Sequence, residues 1–240
     1  MTSKTIGILH SIMDAKIYED TFEKNERPTY PLVTVSRSYG AVSIDVARIL
    51  AAQLHVPLYD KEILTEITRR TKMDRALVSR LDEHVGSMVE DWMQMLFAKK
   101  GSTKDEFYYH MVKVILAVSL QGGVIVGRGA HLILSSRRAF RLRVEGSLPI
   151  CAARLSRQNG ISEAAATKLI IKMDKERQEF VKNVYQRFAG GVSYYEMVIN
   201  SDLYTPEQMA RIVVEAMRLS GHPILPPGHS HRESHREQIA

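Results

Sequence analysis

The chain has 240 residues, 45% of them apolar, and a formal charge of +6, which allows a sizeable core in one α/β domain. Its single cysteine, Cys151, excludes an internal disulfide framework, and no apolar stretch approaches the length needed to span a bilayer. The N-terminus lacks a charged-then-apolar signal segment, so the expectation is a soluble cytoplasmic protein with no membrane partner.

Residues 1–31 precede the first predicted strand. Ile6 to Phe22 has loose helical periodicity, and Glu23 to Pro31 is a polar, proline-bounded linker; a mobile segment is the expectation, and an extension packed on the domain or on another subunit the alternative. Leu32, Val33 and Val35 predict a strand, Ser36 to Gly40 a turn, and Ile44, Val46, Ala47, Leu50, Ala51 and Leu54 recur at helical spacing. Val56 to Tyr59 predicts a second strand, completing a β-α-β unit with parallel strands on a right-handed crossover. The turn of such a unit presents backbone N–H groups at a helix N-terminus, where the default ligand is a phosphate. A nucleotide-binding loop would read G-x-x-x-x-G-K-[ST] there. The four fixed places hold Arg37, Val42, Ser43 and Ile44, and none matches. Gly40 in the turn, with Arg37, Ser38 and Ser43, remains as the candidate phosphate contacts; an ordinary βα turn without a ligand is the competing reading.

Lys61 to Arg70 predicts a helix with Ile63, Leu64 and Ile67 facing inward, and Asp74 can cap a short helix to Leu81. Val85 to Ala98 carries Met88, Trp92, Met93, Met95, Leu96 and Phe97, a soft apolar face that suits core packing or a dimer contact better than a cofactor. Gly101 to Asp105 reads as a polar loop and Phe107 to Leu120 as an apolar helix ended by Gly122-Gly123. Val124 to Val126 predicts a strand buried on both faces. Gly127-Arg128-Gly129 follows at its carboxyl end, where open α/β sheets place ligands. Arg128 is therefore a candidate for bidentate phosphate contact, against the alternative of an arginine paired with a carboxylate across the loop.

Phe140 to Val144 predicts the fourth strand, Pro149 sits in the first turn of a helix to Arg157, and Ser162 caps a helix from Glu163 to about Arg187. Met197 to Ile199 predicts the fifth strand, and Thr205-Pro206-Glu207-Gln208 is a capping box opening a helix to about Leu219. Ser220 to Ala240 has no periodicity and is expected to be a disordered tail; its four histidines lack the rigid spacing of a metal site. Basic residues are spread along the chain without a helix-turn-helix, RNA-binding or zinc pattern, which argues against nucleic acid as the partner.

The wording of these stretches resembles the cytidylate-kinase-like family. S-R-x-Y-G at Ser36 to Gly40, I-D-V-A-x-x-L-A-x-x-L from Ile44, P-L-Y-D-K-E-I-L from Pro57, V-I-V-G-R-G-A from Val124, D-K-E-R from Asp174 and Y-E-M-V-I-N from Tyr195 occur in order, over about residues 32–217. The resemblance implies a three-layer α/β domain over residues 32–219, built on a parallel five-stranded sheet of the P-loop nucleoside monophosphate kinase type with the first strand central. Residues 61–121 would be the acceptor-side helical region and 148–188 the lid. It also implies transfer of the γ-phosphoryl group of ATP, as its Mg2+ complex, to CMP or a related nucleoside monophosphate. Arg37, Ser38, Gly40 and Ser43 would then face the donor phosphates, Arg128 the acceptor phosphate, and Arg154 and Arg177 would lie on the lid. Asp60 would orient the acceptor or metal, and no protein metal ligand is identified. Lys172, Lys175 and Lys182 read as solvated; for Arg177 the competing reading is an exposed i,i+3 pair with Asp174, of little energetic value. The family turn is usually G-S-G-G followed by a basic residue, whereas this chain has Gly40-Ala41-Val42-Ser43-Ile44. Weak phosphoryl transfer is expected, and a degenerate kinase fold serving as a nucleotide-binding regulatory or interaction module is the alternative. A homo-oligomer would form through the N-terminal segment or the Met-rich helix 85–98.

Overall fold

The computed structural model describes residues 30–73, 103–135, 139–184 and 195–225. The expected N-terminal extension up to residue 29, the helix capped by Asp74, the Met-rich helix 85–98 and the tail from residue 226 lie outside the described residues. So do Lys99-Lys100, Arg137-Arg138 and the predicted end of the lid helix beyond residue 184.

Five strands form one parallel sheet: β1 (Leu32–Arg37), β2 (Leu58–Tyr59), β3 (Gly123–Val126), β4 (Phe140–Glu145) and β5 (Met197–Asn200), in the order β2-β3-β1-β4-β5. β1 is central, as expected, because its alternating Leu32, Val33 and Val35 side chains are buried on both faces. The described helices are α1 (Ser43–Gln53), α2 (Lys61–Met73), α3 (Thr103–Leu120), α4 (Ala130–Ile133), α5 (Leu148–Asn159), α6 (Glu163–Val184) and α7 (Pro206–Leu219). One core joins Val33, Val35, Val126 and Leu142 to α1, α5, α6 and α7; the other joins Leu32, Tyr59 and Ile125 to α2, α3 and α4. No described helix is long and apolar enough to cross a membrane.

Two boundaries differ from the sequence reading. β2 begins at Leu58 rather than Val56, because the Val56 N–H closes the end of α1 on Ala51 O at 3.0 Å and is lost to the ladder. His55, at φ 51°, takes the left-handed place where glycine is usual. Helix α3 starts at Thr103, within the stretch read as a polar loop; acidic residues at 105 and 106 suit a first helical turn and need no loop. The predicted caps are present. Ser162 Oγ accepts from Ala165 N, and Thr205 and Gln208 form the reciprocal capping box. The tail begins later than Ser220: His222 stands edge-on to Phe140 at 5.3 Å, and Ile224 packs on the core.

Candidate functional site

Parallel strands all point the same way, so the turns after them meet at one edge. The turn after β1 runs Ser38 to Val42 and enters α1 with Val42 as its N-cap, at φ 48° and ψ 22°, without a side-chain cap. A β-branched residue in the left-handed region is strained by roughly 1–2 kcal/mol. Gly40, at φ 84°, is fixed by more than its backbone: a Cβ there would lie 3.0 Å from Cys151 Cβ and 3.1 Å from Cys151 O. Cys151 is a buried free thiol at the start of α5, and burial pushes its pKa up. The turn after β1 thus rests directly on α5. Ser43, the first residue of α1, is buried at 3% exposure. The Ser38 N–H is engaged by Val144 O at 3.1 Å, continuing the β1–β4 ladder.

Arg37 ends β1 and enters the same edge. Burial and the neighbouring charge of Arg177 hold its guanidinium below the usual arginine range, with Asp60 and Tyr39 acting in the opposite direction. Its Nη1 is buried and has no hydrogen-bond partner among the described residues. Asp60, directly after β2, caps α2: Oδ1 accepts from Glu62 N at 3.0 Å and Ile63 N at 2.9 Å. After β3, Gly127, Arg128 and Gly129 are all left-handed, at φ 75°, 55° and 71°. This backbone carries Arg128 to the α2 side of the edge, where Nη2 donates to Thr65 Oγ1 at 2.8 Å and the guanidinium lies 5.6 Å from the Phe180 ring.

Helix α6 lies across this edge. Ala166, Leu169 and Ile170 pack in the core on the α1 side, whereas Phe180 and Val181 pack in the core on the α2 and α3 side. Between them, at one-face spacing, come Asp174 and Arg177. Asp174 Oδ1 accepts from the Tyr39 N–H at 2.9 Å and from Arg177 Nη1 at 3.1 Å, and the Arg177 guanidinium lies 4.9 Å from the centre of the Tyr39 ring. The i,i+3 pair, exposed in the competing reading of the sequence, is partly buried, at 29% and 30% side-chain exposure, and faces the turn. Lys172 and Lys175 are solvated, as read, with 71% and 74% of their side chains exposed.

The edge thus gathers Arg37, Ser38, Gly40, Ser43, Asp60, Arg128 and Arg177. Arg154 stands apart from that group. Its Nη1 donates to Ser201 Oγ at 3.0 Å and its Nη2 to Ser201 O at 2.5 Å, with Asp202 at 3.9 Å, so it ties α5 to the loop after β5. Tyr39 and Asp174 were not singled out as site residues from the sequence. A backbone donor has no signature in sequence, and 135 residues separate the two partners.

On the opposite face of β1 and β4 lies a second polar group. His131 Nδ1 is 3.2 Å from Ser36 Oγ, and its ring stacks on Tyr195 with centroids 5.2 Å apart. Burial, then Arg141 and Arg143, push His131 down to about 4, so it is neutral at neutral pH. The arginines are neutralised in turn, Arg141 by Glu196 at 2.7 Å and Arg143 by Glu145 at 2.5 Å. This group joins β4 to the segment before β5.

A sequence model of the cytidylate kinase-like family matches residues 32–203. A uronate isomerase of Corynebacterium glutamicum is 32% identical over 102 residues, which is 42% of this chain and 20% of that protein; the chain thus spans about a fifth of that relative. The crystal structure of an uncharacterized protein from Eubacterium ventriosum superposes with a TM-score of 0.57 at 18% identity, covering 78% of this chain and 98% of that one. It shares the fold. A shikimate kinase from Bacteroides thetaiotaomicron gives a TM-score of 0.41 at 14% identity, covering 80% and 98% of the two chains.

Proposed function

The chain belongs to the cytidylate kinase-like family, and from that premise we propose that it binds a nucleotide along the carboxyl edge of its sheet and passes the γ-phosphoryl group of ATP slowly to CMP or a related nucleoside monophosphate. The observation that carries this reading is Arg37, a partly buried cation whose buried Nη1 has no hydrogen-bond partner among the described residues, at the mouth of the turn. A buried guanidinium N–H without an acceptor costs free energy, and an anion arriving at the turn would offset that cost. Arg37 and Arg177 would neutralise the donor phosphates, and Arg128, held by Thr65, would meet the acceptor phosphate with its fork. Charge stabilisation and positioning are what a protein contributes to phosphoryl transfer.

The residues present do not fit a protein-held magnesium ion at the usual place. Ile44 stands where a hydroxyl would bind it, and among the described residues no three His, Cys, Asp or Glu side chains come together. The chain's own contribution is then the charge of its arginines. A nucleotide-binding module with no turnover is the second reading, favoured by the left-handed Val42 at the place of the family's glycine.

Calorimetric titration with CMP and with ATP tests the assignment. Arg128→Ala should weaken CMP binding by about 1.5–3 kcal/mol, or roughly 10- to 150-fold, as for a lost charge-assisted hydrogen bond. ATP affinity should change much less. Unchanged CMP affinity would remove Arg128 from the site.

A further inference from the structure

We propose that Asp174 is an internal anion that latches helix α6 onto the phosphate turn, so that an incoming nucleotide phosphate must displace it. The proposal rests on the nucleotide-binding reading of this edge and adds a regulation to it. One carboxylate oxygen, Oδ1, accepts both from the Tyr39 N–H of the turn and from Arg177 Nη1, at 2.9 and 3.1 Å. A backbone N–H of the βα turn and a guanidinium are the two donors that a phosphate oxygen would take there. The carboxylate therefore holds both groups in the arrangement an anionic ligand would need, while opposing that ligand with its own charge.

The rest of α6 supports a latch. The helix is anchored at both ends, by Ala166 and Ile170 in one core and by Phe180 and Val181 in the other, so Asp174 and Arg177 occupy its span over the edge. Arg177 also lies over the Tyr39 ring, 4.9 Å from its centre, which keeps the guanidinium at the turn once the carboxylate has left. Exchange is then local. Asp174 swings to solvent, the phosphate takes the Tyr39 N–H and Arg177, and α6 keeps its packing. A ligand that must displace an internal competitor binds with an affinity reduced by the fraction of molecules in which the latch is engaged.

The test compares the Kd for ATP, by calorimetry, in the native chain, Asp174→Asn, Asp174→Ser and Glu179→Gln. Glu179 lies on the same helix, is paired with Lys175 at 3.9 Å and has 58% of its side chain exposed, so its substitution makes the same charge change away from the turn. Tightening by about 10-fold in both Asp174 variants, within the usual range for coupled sites, with Glu179→Gln unchanged, is the expected result. Equal or weaker binding in the Asp174 variants beside a native chain that binds ATP overturns the latch and leaves the nucleotide reading standing. Equal tightening in Glu179→Gln also overturns it, since the effect would then be general charge. No ATP binding in any of the four proteins overturns both.

Discussion

Arg37→Met is expected to raise the melting temperature of the protein and to abolish most of its nucleotide binding. The guanidinium lies in a partly buried place, burial is the largest cause of its lowered pKa, and Arg177 adds like charge. Among the described residues its Nη1 has no acceptor. Methionine has similar length and no charge, so the fold should gain about 1–2 kcal/mol, because the desolvation of the guanidinium and its repulsion by Arg177 outweigh the attraction of Asp60. In a chain of this size that is a rise of about 2–8 °C. The sign of the shift fixes its pH dependence. A pKa lower in the folded than in the unfolded state means that stability rises only as pH climbs into arginine's own range, above about pH 11, so the gain should be constant near neutrality. Binding moves the other way, with a loss of about 1.5–3 kcal/mol for a charge-assisted phosphate contact. Thermal unfolding with and without ATP checks both halves. A variant that is less stable than the native chain, or that binds ATP equally well, would show that Arg37 is a structural residue.

The second large effect concerns turnover. Val42→Gly, Ser43→Lys and Ile44→Thr made together should raise phosphoryl transfer about 10²- to 10³-fold, the value of one charge-stabilising contact in an enclosed site. All three are required. Ser43 is buried, so a lysine is admitted only if the turn can move, and glycine in place of Val42, at φ 48°, frees that left-handed backbone of its side-chain strain. The threonine restores a hydroxyl at the metal place. Ser43→Lys with Ile44→Thr, but with Val42 kept, should gain far less. A coupled assay with ATP, magnesium and CMP reads the difference, and equal rates in the native and triple-substituted chains would mean that the turn does not limit transfer.

The sheet was legible because each strand carries its own signal. Val124 to Val126 is an unbroken apolar run and Phe140 to Val144 alternates with Arg141 and Arg143; both patterns report burial directly. Boundaries set by backbone hydrogen bonds were less legible. The Val56 N–H went to the cap of α1, and nothing in the side chain of Val56 records that choice. Within the site, Gly127-Arg128-Gly129 was readable because glycines on both sides permit the left-handed backbone that the structure uses. Arg154 and Arg177 look alike in sequence, each a basic residue on a helix within residues 148–188. Their partners separate them: Ser201 and Asp202 come from the loop after β5, whereas Arg177 meets Tyr39 of the turn and Asp174 of its own helix. That α6 passes from one core to the other was hidden as well, since Ile170, Asp174, Arg177 and Val181 define a helix face but not the two layers it bridges.

In the proposed reading the edge carries arginines and no lysine turn, so that it binds nucleotide and transfers phosphate slowly. Turnover of the native chain with magnesium and CMP, followed as a function of ATP concentration, tests this most directly. The account predicts a rate that saturates in ATP, with a kcat at least about 10²-fold below the usual kinase range of roughly 1–100 per second. A kcat within that range would contradict it, and Arg37 with Arg177 would then fully replace the missing lysine.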